Sequence, residues 1–405
     1  MAGIVALTAA YVLSQFYRSF LAVLTPVLSQ ELGATNAELS AASGTWFVVF
    51  ALMQFAVGIW LDRFGPRRTA AFLFGGFATS GAVLLALATA PWAIIVSMGL
   101  IGIGCAPVLM SSVFIFAKSY SPARLSVLTS WFIGIGMMGS MIGTAPLAAA
   151  AEMFGWRTVM FGFAGITVLI AGAILACVEE PAPEVRKVGD SVLAGYRELL
   201  RVRALWFIIP MAMVATVPSQ AIRGLWAGPY LSDVYHADAL LIGQVTFFMA
   251  LALAIGSFFY GPLDTIFGTR KWINFWGALV SIAVLLWLAM VPSAPIFHMT
   301  AALVVIGFCG GTYGVVLAHG KAFMPAHLTG RGVTLLNFFS IGSVGLTQFL
   351  TGGIFAAAAT PADPAWGYQV VFFFFALMIG AGLLVYLFST DAKPERPELI
   401  ADVAE

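Results

Sequence analysis

Charged residues are scarce in this chain. Of its 405 residues, 9% are Asp, Glu, Lys or Arg and 61% are hydrophobic, and the mean hydropathy is +0.99. Soluble globular domains carry about 25% charged residues. The composition therefore excludes a soluble domain and indicates an integral membrane protein.

Cysteine is also rare, and its three copies lie in apolar segments without a CxxC or Cys/His spacing. They are Cys105, Cys177 and Cys309. This pattern predicts neither a disulfide framework nor a metal site. The chain has no Ser/His/Asp constellation and no phosphate loop, since its glycine-rich stretches fall within apolar segments. With a net charge of +1 it has no basic surface for nucleic acid. We expect no enzyme activity, no cofactor and no nucleic-acid partner.

Twelve apolar stretches are long enough to cross a bilayer, which takes about 20 residues of helix. They lie at 4–29, 41–61, 69–89, 92–117, 125–148, 157–178, 204–231, 240–262, 272–291, 296–320, 332–357 and 368–389. The sequence therefore predicts an all-α membrane protein with twelve transmembrane helices.

The basic residues give the orientation. Of 19 Lys and Arg residues, 16 fall on one side of this topology, and Arg157 alone lies on the other. The positive-inside bias makes the basic side cytoplasmic and places both termini there. The first apolar run has no basic residue before it and is too long for a signal peptide, so we expect a retained helix. A bacterial inner membrane is the expected location.

The two halves of the chain share one pattern at an offset of about 203 residues. The segment Gly58 to Arg68 links the second and third spans, and its counterpart, Gly261 to Lys271, links the eighth and ninth. The pattern predicts two pseudo-symmetric six-helix bundles, at 1–178 and 204–389. A polar cytoplasmic linker at 179–203 joins them, and a cytoplasmic tail follows at 390–405.

The first loop reads GIWLDRFGPRR and has a degenerate copy in the second half. With twelve spans and a long central loop, it resembles the major facilitator superfamily. The resemblance implies secondary transport by two bundles that flank a central cavity and rock about a site near the bilayer midplane. It also implies that the loop motif latches the cytoplasmic face, with simple topological anchoring as the alternative. The motif residues are Gly58, Asp62, Arg63, Gly65, Arg67, Asp264 and Arg270.

Arg18 and Arg223 are the only charged residues within two long apolar runs, Ala2 to Gln30 and Ala204 to Ser232. A guanidinium in hydrocarbon costs at least about 2.5 to 3.5 kcal/mol, so it needs a partner or a water-lined cavity. The topology places none of the 18 acidic residues at a central depth. Because arginine binds carboxylate and phosphate oxygens in bidentate fashion, we expect the pair to hold an anion. The alternative is a structural role, bonding backbone carbonyls and glutamines.

Helical spacing gives each arginine a stripe of polar and aromatic neighbours. The members are Tyr11 and Gln15 beside Arg18, and Gln220, Trp226 and Tyr230 beside Arg223. Other spans offer further candidates for the lining, although such residues also bond neighbouring helices or anchor at membrane interfaces. They are Gln54, Trp131, Tyr313, Asn337 and Gln348.

A narrower resemblance rests on the two arginines. Arg18 lies eight residues before Pro26, and Arg223 precedes Pro229 in the seventh span. This is similar to the organophosphate:phosphate antiporters and the related anion:cation symporters; in the former, an arginine from each of these two spans grips the substrate phosphate. Arg223 departs from the pattern because it is six residues from its proline, which turns it about 200° on a regular helix. A local break at Gly224 or Gly228 would restore the facing.

These observations predict a secondary transporter for a small organic or inorganic anion. The other expected partners are the lipid bilayer and a coupling proton, sodium ion or counter-anion, and the chain is expected to be a monomer. His319 is the only histidine well within a span and is the candidate proton site; the alternative is a bonded packing residue.

Two other functions compete. The fifth span partly resembles the glycine-rich motif of drug/proton antiporters, which favours export of amphipathic compounds, although small residues at this spacing also serve close helix packing. Its residues are Gly134, Gly136, Gly139, Gly143 and Pro146. The second competing function is a non-transporting receptor or assembly factor that retains the fold.

Overall fold

The computed structural model describes residues 2–119, 122–180, 192–325, 328–360 and 363–392. Nine helices build the first half within these ranges: α1 (Ala2–Ser19), α2 (Leu21–Leu32), α3 (Asn36–Phe64), α4 (Pro66–Leu73), α5 (Thr79–Ala86), α6 (Pro91–Ser119), α7 (Pro122–Ile142), α8 (Ala145–Phe154) and α9 (Trp156–Cys177). Ten follow: α10 (Val192–Leu200), α11 (Arg203–Val214), α12 (Val217–Ala221), α13 (Ala227–Tyr235), α14 (Ala239–Phe267), α15 (Lys271–Met290), α16 (Ile296–Cys309), α17 (Tyr313–Lys321), α18 (Thr329–Ala358) and α19 (Pro364–Tyr386).

The described chain is all-α, as predicted. Ten helical stretches are long and apolar enough to cross a membrane, and two bent pairs, α1–α2 and α7–α8, bring the number to twelve when each pair counts as one span. Short irregular turns join the pieces of the other interrupted spans. These are π turns at Phe74–Ala78 and Ile222–Trp226 and a 3-10 turn at Gly310–Thr312.

The first span bends by 50° between α1 and α2. Pro26, one turn beyond the bend, has no N–H to donate to the carbonyl of Ala22. The hydroxyl of Thr25 donates to that carbonyl at 2.8 Å instead, which satisfies it inside an apolar bundle. The bend at Phe20 follows Arg18 by two residues, so the arginine lies at the end of α1 where the span changes direction.

The internal repeat extends to backbone conformation. Gly33 ends α2 at φ +67°, and His236, 203 positions later (236 − 33), ends α13 at φ +55°. The next helices begin alike: Thr35 caps α3, and Asp238, again 203 positions later (238 − 35), caps α14 through its side chain. Such matching caps are difficult to explain without duplication. They support the two-bundle prediction, although the bundle bounds themselves remain a prediction.

The glycines of α7 pack against α1. A Cβ on Gly139 would collide with the backbone of Val12, and one on Gly136 would collide with the ring of Tyr11. The close-packing interpretation of this glycine series therefore explains both residues. α10 falls inside the predicted linker, whose residues 181–191 lie outside the described part of the chain.

The two halves of the chain meet along α3 and α18. A Cβ on Gly345 of α18 would lie 2.8 Å from the carbonyl oxygen of Gly44, so the two backbones approach closely there. Toward the predicted cytoplasmic side, the rings of Phe55 and Phe338 lie 4.9 Å apart. The two halves thus meet along much of the length of α3 and α18. Both arginines lie beside this boundary.

Candidate functional site

Arg18 lies against an aromatic face of α3. Its guanidinium carbon is 5.5 Å from the ring centre of Trp46, 5.4 Å from Phe47 and 5.8 Å from Phe50. Cation–π contacts contribute roughly 0.5 to 2 kcal/mol each, but they leave the N–H groups unused. Arg18 Nε is buried and has no hydrogen-bond partner in the described chain. The aromatic face thus holds a cation whose donors remain available.

Arg223 is almost fully buried, with 2% of its surface exposed. It lies in the π turn Ile222–Trp226, and its Nη2 donates to Gln220 Oε1 at 3.2 Å. Its Nε and Nη1 have no partner among the described residues. Among the described residues, this buried cation has one hydrogen-bond partner, a neutral amide. A buried charge is stable only with an opposite charge or with hydrogen bonds to all its donors.

The π turn also alters where Arg223 points. A π turn accommodates an extra residue, so the rotation of about 200° expected for a regular helix does not apply across Ile222–Trp226. The sequence-based alternative of a break at Gly224 is therefore the one observed. A Cβ on Gly224 would lie 3.7 Å from the carbonyl oxygen of Arg18, and Arg18 is within electrostatic range of Arg223. The first and seventh spans thus meet at the two arginines.

No carboxylate lies within ion-pair distance of either arginine in the part of the chain that the structure describes. The described ion pairs lie elsewhere: Arg157 with Glu31, and Arg270 with Asp264. Neither cation therefore has a counter-charge among the described residues, an arrangement that favours a bound anion.

Two tyrosines from opposite halves lie within electrostatic range of Arg18. Tyr11 accepts a hydrogen bond from Gln15 Nε2 at 2.7 Å. Tyr313 donates to Asn337 Oδ1 at 3.0 Å. Each tyrosine is thus bonded to a second predicted lining residue of its own half.

Two predicted glutamines lie along the contact between the halves. Gln348 on α18 donates from Nε2 to Ser43 Oγ and to the carbonyl of Ala221, both at 3.3 Å. Its Oε1 is buried without a partner in the described chain. Gln54 is buried on α3, one turn beyond Phe50. Gln348 thus bonds to Ser43 in the first half and to Ala221, two residues before Arg223, in the second.

Three further predicted lining residues have other contacts or exposure. Trp226 donates to Thr351 at 3.0 Å, and Tyr230 donates to the carbonyl of Pro292 at 2.6 Å, which favours a packing role for both. Trp131 is 67% exposed. Their part in the lining stays a prediction.

The residues of the loop motif have different environments. Gly65 adopts φ +82° and its repeat counterpart Gly268 adopts φ +65°, conformations that glycine reaches without strain. Arg67 donates to the carbonyl of Leu175, whereas Arg63 is exposed over the ring of Phe64. A Cβ on Gly58 would meet open space. The side chain of Asp62 lies outside the described part of the chain.

The second copy of the motif forms an ion pair. Arg270 Nε lies 3.0 Å from Asp264 Oδ2. A latch between the two bundles is not shown by this pair, since both residues belong to the second half.

His319 belongs to a hydrogen-bond network near the end of α19. Its Nδ1 lies 2.6 Å from the hydroxyl of Tyr386, and its Nε2 lies 2.9 Å from the carbonyl of Thr390. Asn274 also donates to the Tyr386 hydroxyl, at 3.0 Å. Both ring nitrogens are engaged, which favours the packing interpretation over a proton site.

The aromatic face of α3 was missed in the sequence-based prediction. A signal was present: Ser43, Trp46, Phe47 and Phe50 recur at helical spacing with Gln54, as an interior face does. The pattern alone could not pair it with Arg18.

Comparison with known proteins decides the family. The family model described as Major Facilitator Superfamily matches residues 7–225, more than half of the chain. The chain belongs to the major facilitator superfamily. Its members transport solutes rather than catalyse reactions, in agreement with the absence of an active-site motif.

Two relatives are resistance proteins. The fosmidomycin resistance protein of Escherichia coli (strain K12) is 24% identical over 364 residues, which cover 86% of this chain and 84% of that protein. The tetracenomycin C resistance and export protein of Streptomyces glaucescens is 27% identical over 165 residues, which cover 39% of this chain and 29% of that protein.

Solved structures agree in fold. A bacterial homologue of the human lysosomal transporter Spinster, in an inward-facing and occupied conformation, has a TM-score of 0.77 at 18% identity, covering 95% of this chain and 96% of that one. A D-xylose-proton symporter has a TM-score of 0.71 at 15% identity, covering 93% and 96%. At these identities the likeness concerns the fold alone.

Proposed function

We propose that this chain is a secondary transporter of a small organic or inorganic anion, which Arg18 and Arg223 hold at the boundary between the two halves. The observation that carries the proposal is the pair of guanidinium groups with unused, buried N–H donors and no carboxylate partner in the described chain. Burial of an unpaired charge costs several kcal/mol. A bound anion would offset that cost for both arginines.

The surroundings of the arginines support substrate binding rather than packing alone. Arg18 keeps partial exposure and has polar neighbours from both halves, Gln15 and Tyr11 on one side and Tyr313 and Asn337 on the other. A substrate between the halves would therefore touch both, which alternating access requires. The suggested closeness to organophosphate:phosphate antiporters is part of this proposal.

Export of an amphipathic drug is the second candidate function. The names of both relatives, a resistance protein and a resistance and export protein, favour outward transport. The two candidates agree if the exported compound is an anion. We propose exchange with a counter-anion as the coupling, because His319 is fully bonded and no carboxylate pairs with the arginines among the described residues.

The proposed setting is a bacterial inner membrane, with the basic loops and both termini in the cytoplasm. Two six-helix bundles, at 1–178 and 204–389, would move relative to each other, and the loop motif would latch their cytoplasmic face.

A thermal-shift screen of the detergent-purified protein tests the proposal. The compounds are inorganic phosphate, methylphosphonate, methanesulfonate, acetate, fosmidomycin and the cationic dye ethidium. Binding to the native state stabilises it by about 2.7 kcal/mol at a hundredfold excess over Kd. We expect at least one anion to raise the Tm of the wild type and to have no effect on Arg18→Ala.

The matched control is Arg201→Ala, which removes an exposed arginine outside the site and the loop motif and should retain the response. Stabilisation by ethidium with none from any anion would favour the drug exporter. An unchanged anion response in Arg18→Ala would reject the binding role of Arg18. Loss of the folded protein on this substitution would favour a structural role, and Arg18→Lys, with uptake into proteoliposomes, then separates charge from geometry.

A further inference from the structure

Trp46, which lies on α3 in the first half, has a buried hydrogen-bond donor without a described partner. Its side chain is 1% exposed, and its indole Nε1 has no partner within the described residues. An indole N–H can only donate. Native proteins satisfy about 90% or more of buried polar groups, and an unsatisfied one calls for an explanation.

The ring of Trp46 is held in place from two sides. It stacks on Phe50 with ring centres 5.0 Å apart and an angle of 16° between the planes. The ring of Phe47 packs edge-on against it, with ring centres 4.9 Å apart and an angle of 77°. A side chain so confined cannot easily turn to find another acceptor. The unsatisfied donor is therefore a feature of the packed fold.

The other unsatisfied groups nearby are also mainly donors. Arg18 contributes Nε, and Arg223 contributes Nε and Nη1. Arg18 connects the group. Its guanidinium carbon lies 5.5 Å from the Trp46 ring centre, and a Cβ on Gly224, next to Arg223, would lie 3.7 Å from its carbonyl oxygen. The acceptor Oε1 of Gln348 can serve one of these four donors. The remaining surplus points to a ligand rich in acceptor oxygens.

We propose that Trp46 is a third substrate-binding residue, whose indole N–H donates to an oxygen of the anion that Arg18 and Arg223 bind. This inference rests on the proposed function. A neutral donor fixed by packing adds direction to the attraction of two flexible cations, because it specifies where one ligand oxygen must lie. The aromatic face of α3 then has two tasks: its rings position Arg18, and Trp46 also contacts the substrate.

The test is Trp46→Phe, which keeps an aromatic ring against Arg18 and removes the N–H. The probes are inorganic phosphate and methanesulfonate, and Kd is measured by isothermal titration on the full chain. We expect Kd to increase about tenfold or more, since hydrogen bonds to charged groups are among the stronger ones. The Tm without ligand should stay the same or increase, because an unsatisfied buried donor has been removed.

Trp156→Phe is the matched control. Trp156 is also buried, but it lies at the start of α9 beside Arg157, whose guanidinium is 4.3 Å from its ring centre. Its replacement should leave Kd unchanged. If the wild type binds a probe and Trp46→Phe binds it equally well, this inference alone is overturned. If the wild type binds neither these probes nor any other anion of the thermal-shift screen, both proposals are overturned.

A second measurement covers the case in which Trp46→Phe does not fold. Wild-type protein labelled with ¹⁵N at the indoles of its 11 tryptophans is titrated with the same probes. The Trp46 signal is assigned by replacing the other tryptophans in turn. We expect this N–H resonance to shift on binding in proportion to occupancy, and a resonance that stays in place at saturation overturns the inference.

Discussion

The side-chain amide of Asn36 donates to a carboxylate oxygen of Asp233 at 3.3 Å. Asn36 begins α3 in the first half, and Asp233 lies near the end of α13 in the second. The hydroxyl of Tyr368 also donates to this carboxylate. The Asn36 bond joins the two halves at the end of the bundle that is predicted to face outward, and the Tyr368 bond holds Asp233 in place within the second half. In an alternating-access cycle the Asn36 bond would have to break when the site opens to that side.

Asp233→Asn should weaken closure at this end, because the replacement removes the charge that strengthens both hydrogen bonds. We expect a larger population of molecules with separated outer ends. Spin labels at the exposed Met153 and Phe297, one in each half, report this separation by pulsed electron resonance after the exposed Cys177 is replaced by Ser. The distance distribution should gain a longer component.

Asp238→Asn is the control for that experiment. Asp238 carries the same charge at the same end of the bundle, but it caps α14 within the second half. Its replacement should leave the distance distribution unchanged. Equal effects of the two substitutions would show that general charge, rather than the Asn36–Asp233–Tyr368 contact, controls closure.

Arg223→Met should separate stability from function. Replacement of a buried, poorly partnered charge by a hydrophobic residue of similar size is often neutral or stabilising, by about 1 to 4 kcal/mol. We expect an unchanged or higher Tm without ligand, together with loss of anion-induced stabilisation. Arg157→Met, at an exposed ion pair, serves as the control. A large decrease in Tm would indicate that Arg223 is a structural element instead.

The parts of this molecule that depend on local chemistry were predictable from sequence. Membrane spans follow from length and hydropathy, and the isolated arginines stand out because a charge in an apolar run is costly. The positive φ of Gly65 follows from a tight turn that glycine allows. Gln15 donates to Tyr11 at 2.7 Å, one turn apart as the spacing indicates, because α1 is regular there.

Spacing within one helix is a poor guide where the helix is irregular or the contact lies between helices. Regular spacing does not hold across the π turn at Ile222–Trp226, and Trp226 and Tyr230 bond to Thr351 and to Pro292. The helix α7 has one face toward α1 and another that is exposed. A single sequence does not say on which of them Trp131 lies. The pairing of Arg18 with Trp46 depends on how two helices pack, which spacing within either helix does not encode.

His236→Gly should stabilise the protein. His236 is exposed and ends α13 at φ +55°, where a side chain meets its own backbone and costs roughly 1 kcal/mol. Its repeat counterpart is Gly33, which has the same role at φ +67°. We expect a higher Tm for His236→Gly and a lower one for Gly33→His, measured by thermal unfolding in detergent. A lower Tm for His236→Gly, or a higher one for Gly33→His, would contradict the strain argument, because the two positions are backbone equivalents.

Asp391 should make stability depend on pH at the predicted cytoplasmic end. It accepts hydrogen bonds from Thr269 Oγ1 at 2.6 Å and from the backbone N–H groups of Arg270 and Lys271 at 3.1 and 3.0 Å. Partial burial opposes its ionisation, but these hydrogen bonds outweigh burial and hold its pKa below the ordinary value of 3.8. The charged form is therefore favoured by the fold.

The direction of the pH effect follows from this lowered pKa. A carboxyl group with a depressed pKa contributes its stability above the unfolded value, and the contribution is lost as the pH falls from about 4 through the folded pKa. Asp391→Asn should therefore lower the free energy of unfolding by about 1 kcal/mol at pH 7, as for a lost charged helix cap. Thermal unfolding of the two proteins between pH 7 and pH 3 measures the difference, which should shrink toward pH 3. The control is Glu152→Gln, at an exposed carboxylate of α8, which should show no such trend. A constant difference between wild type and Asp391→Asn across this range would show that the charge of Asp391 contributes nothing to stability.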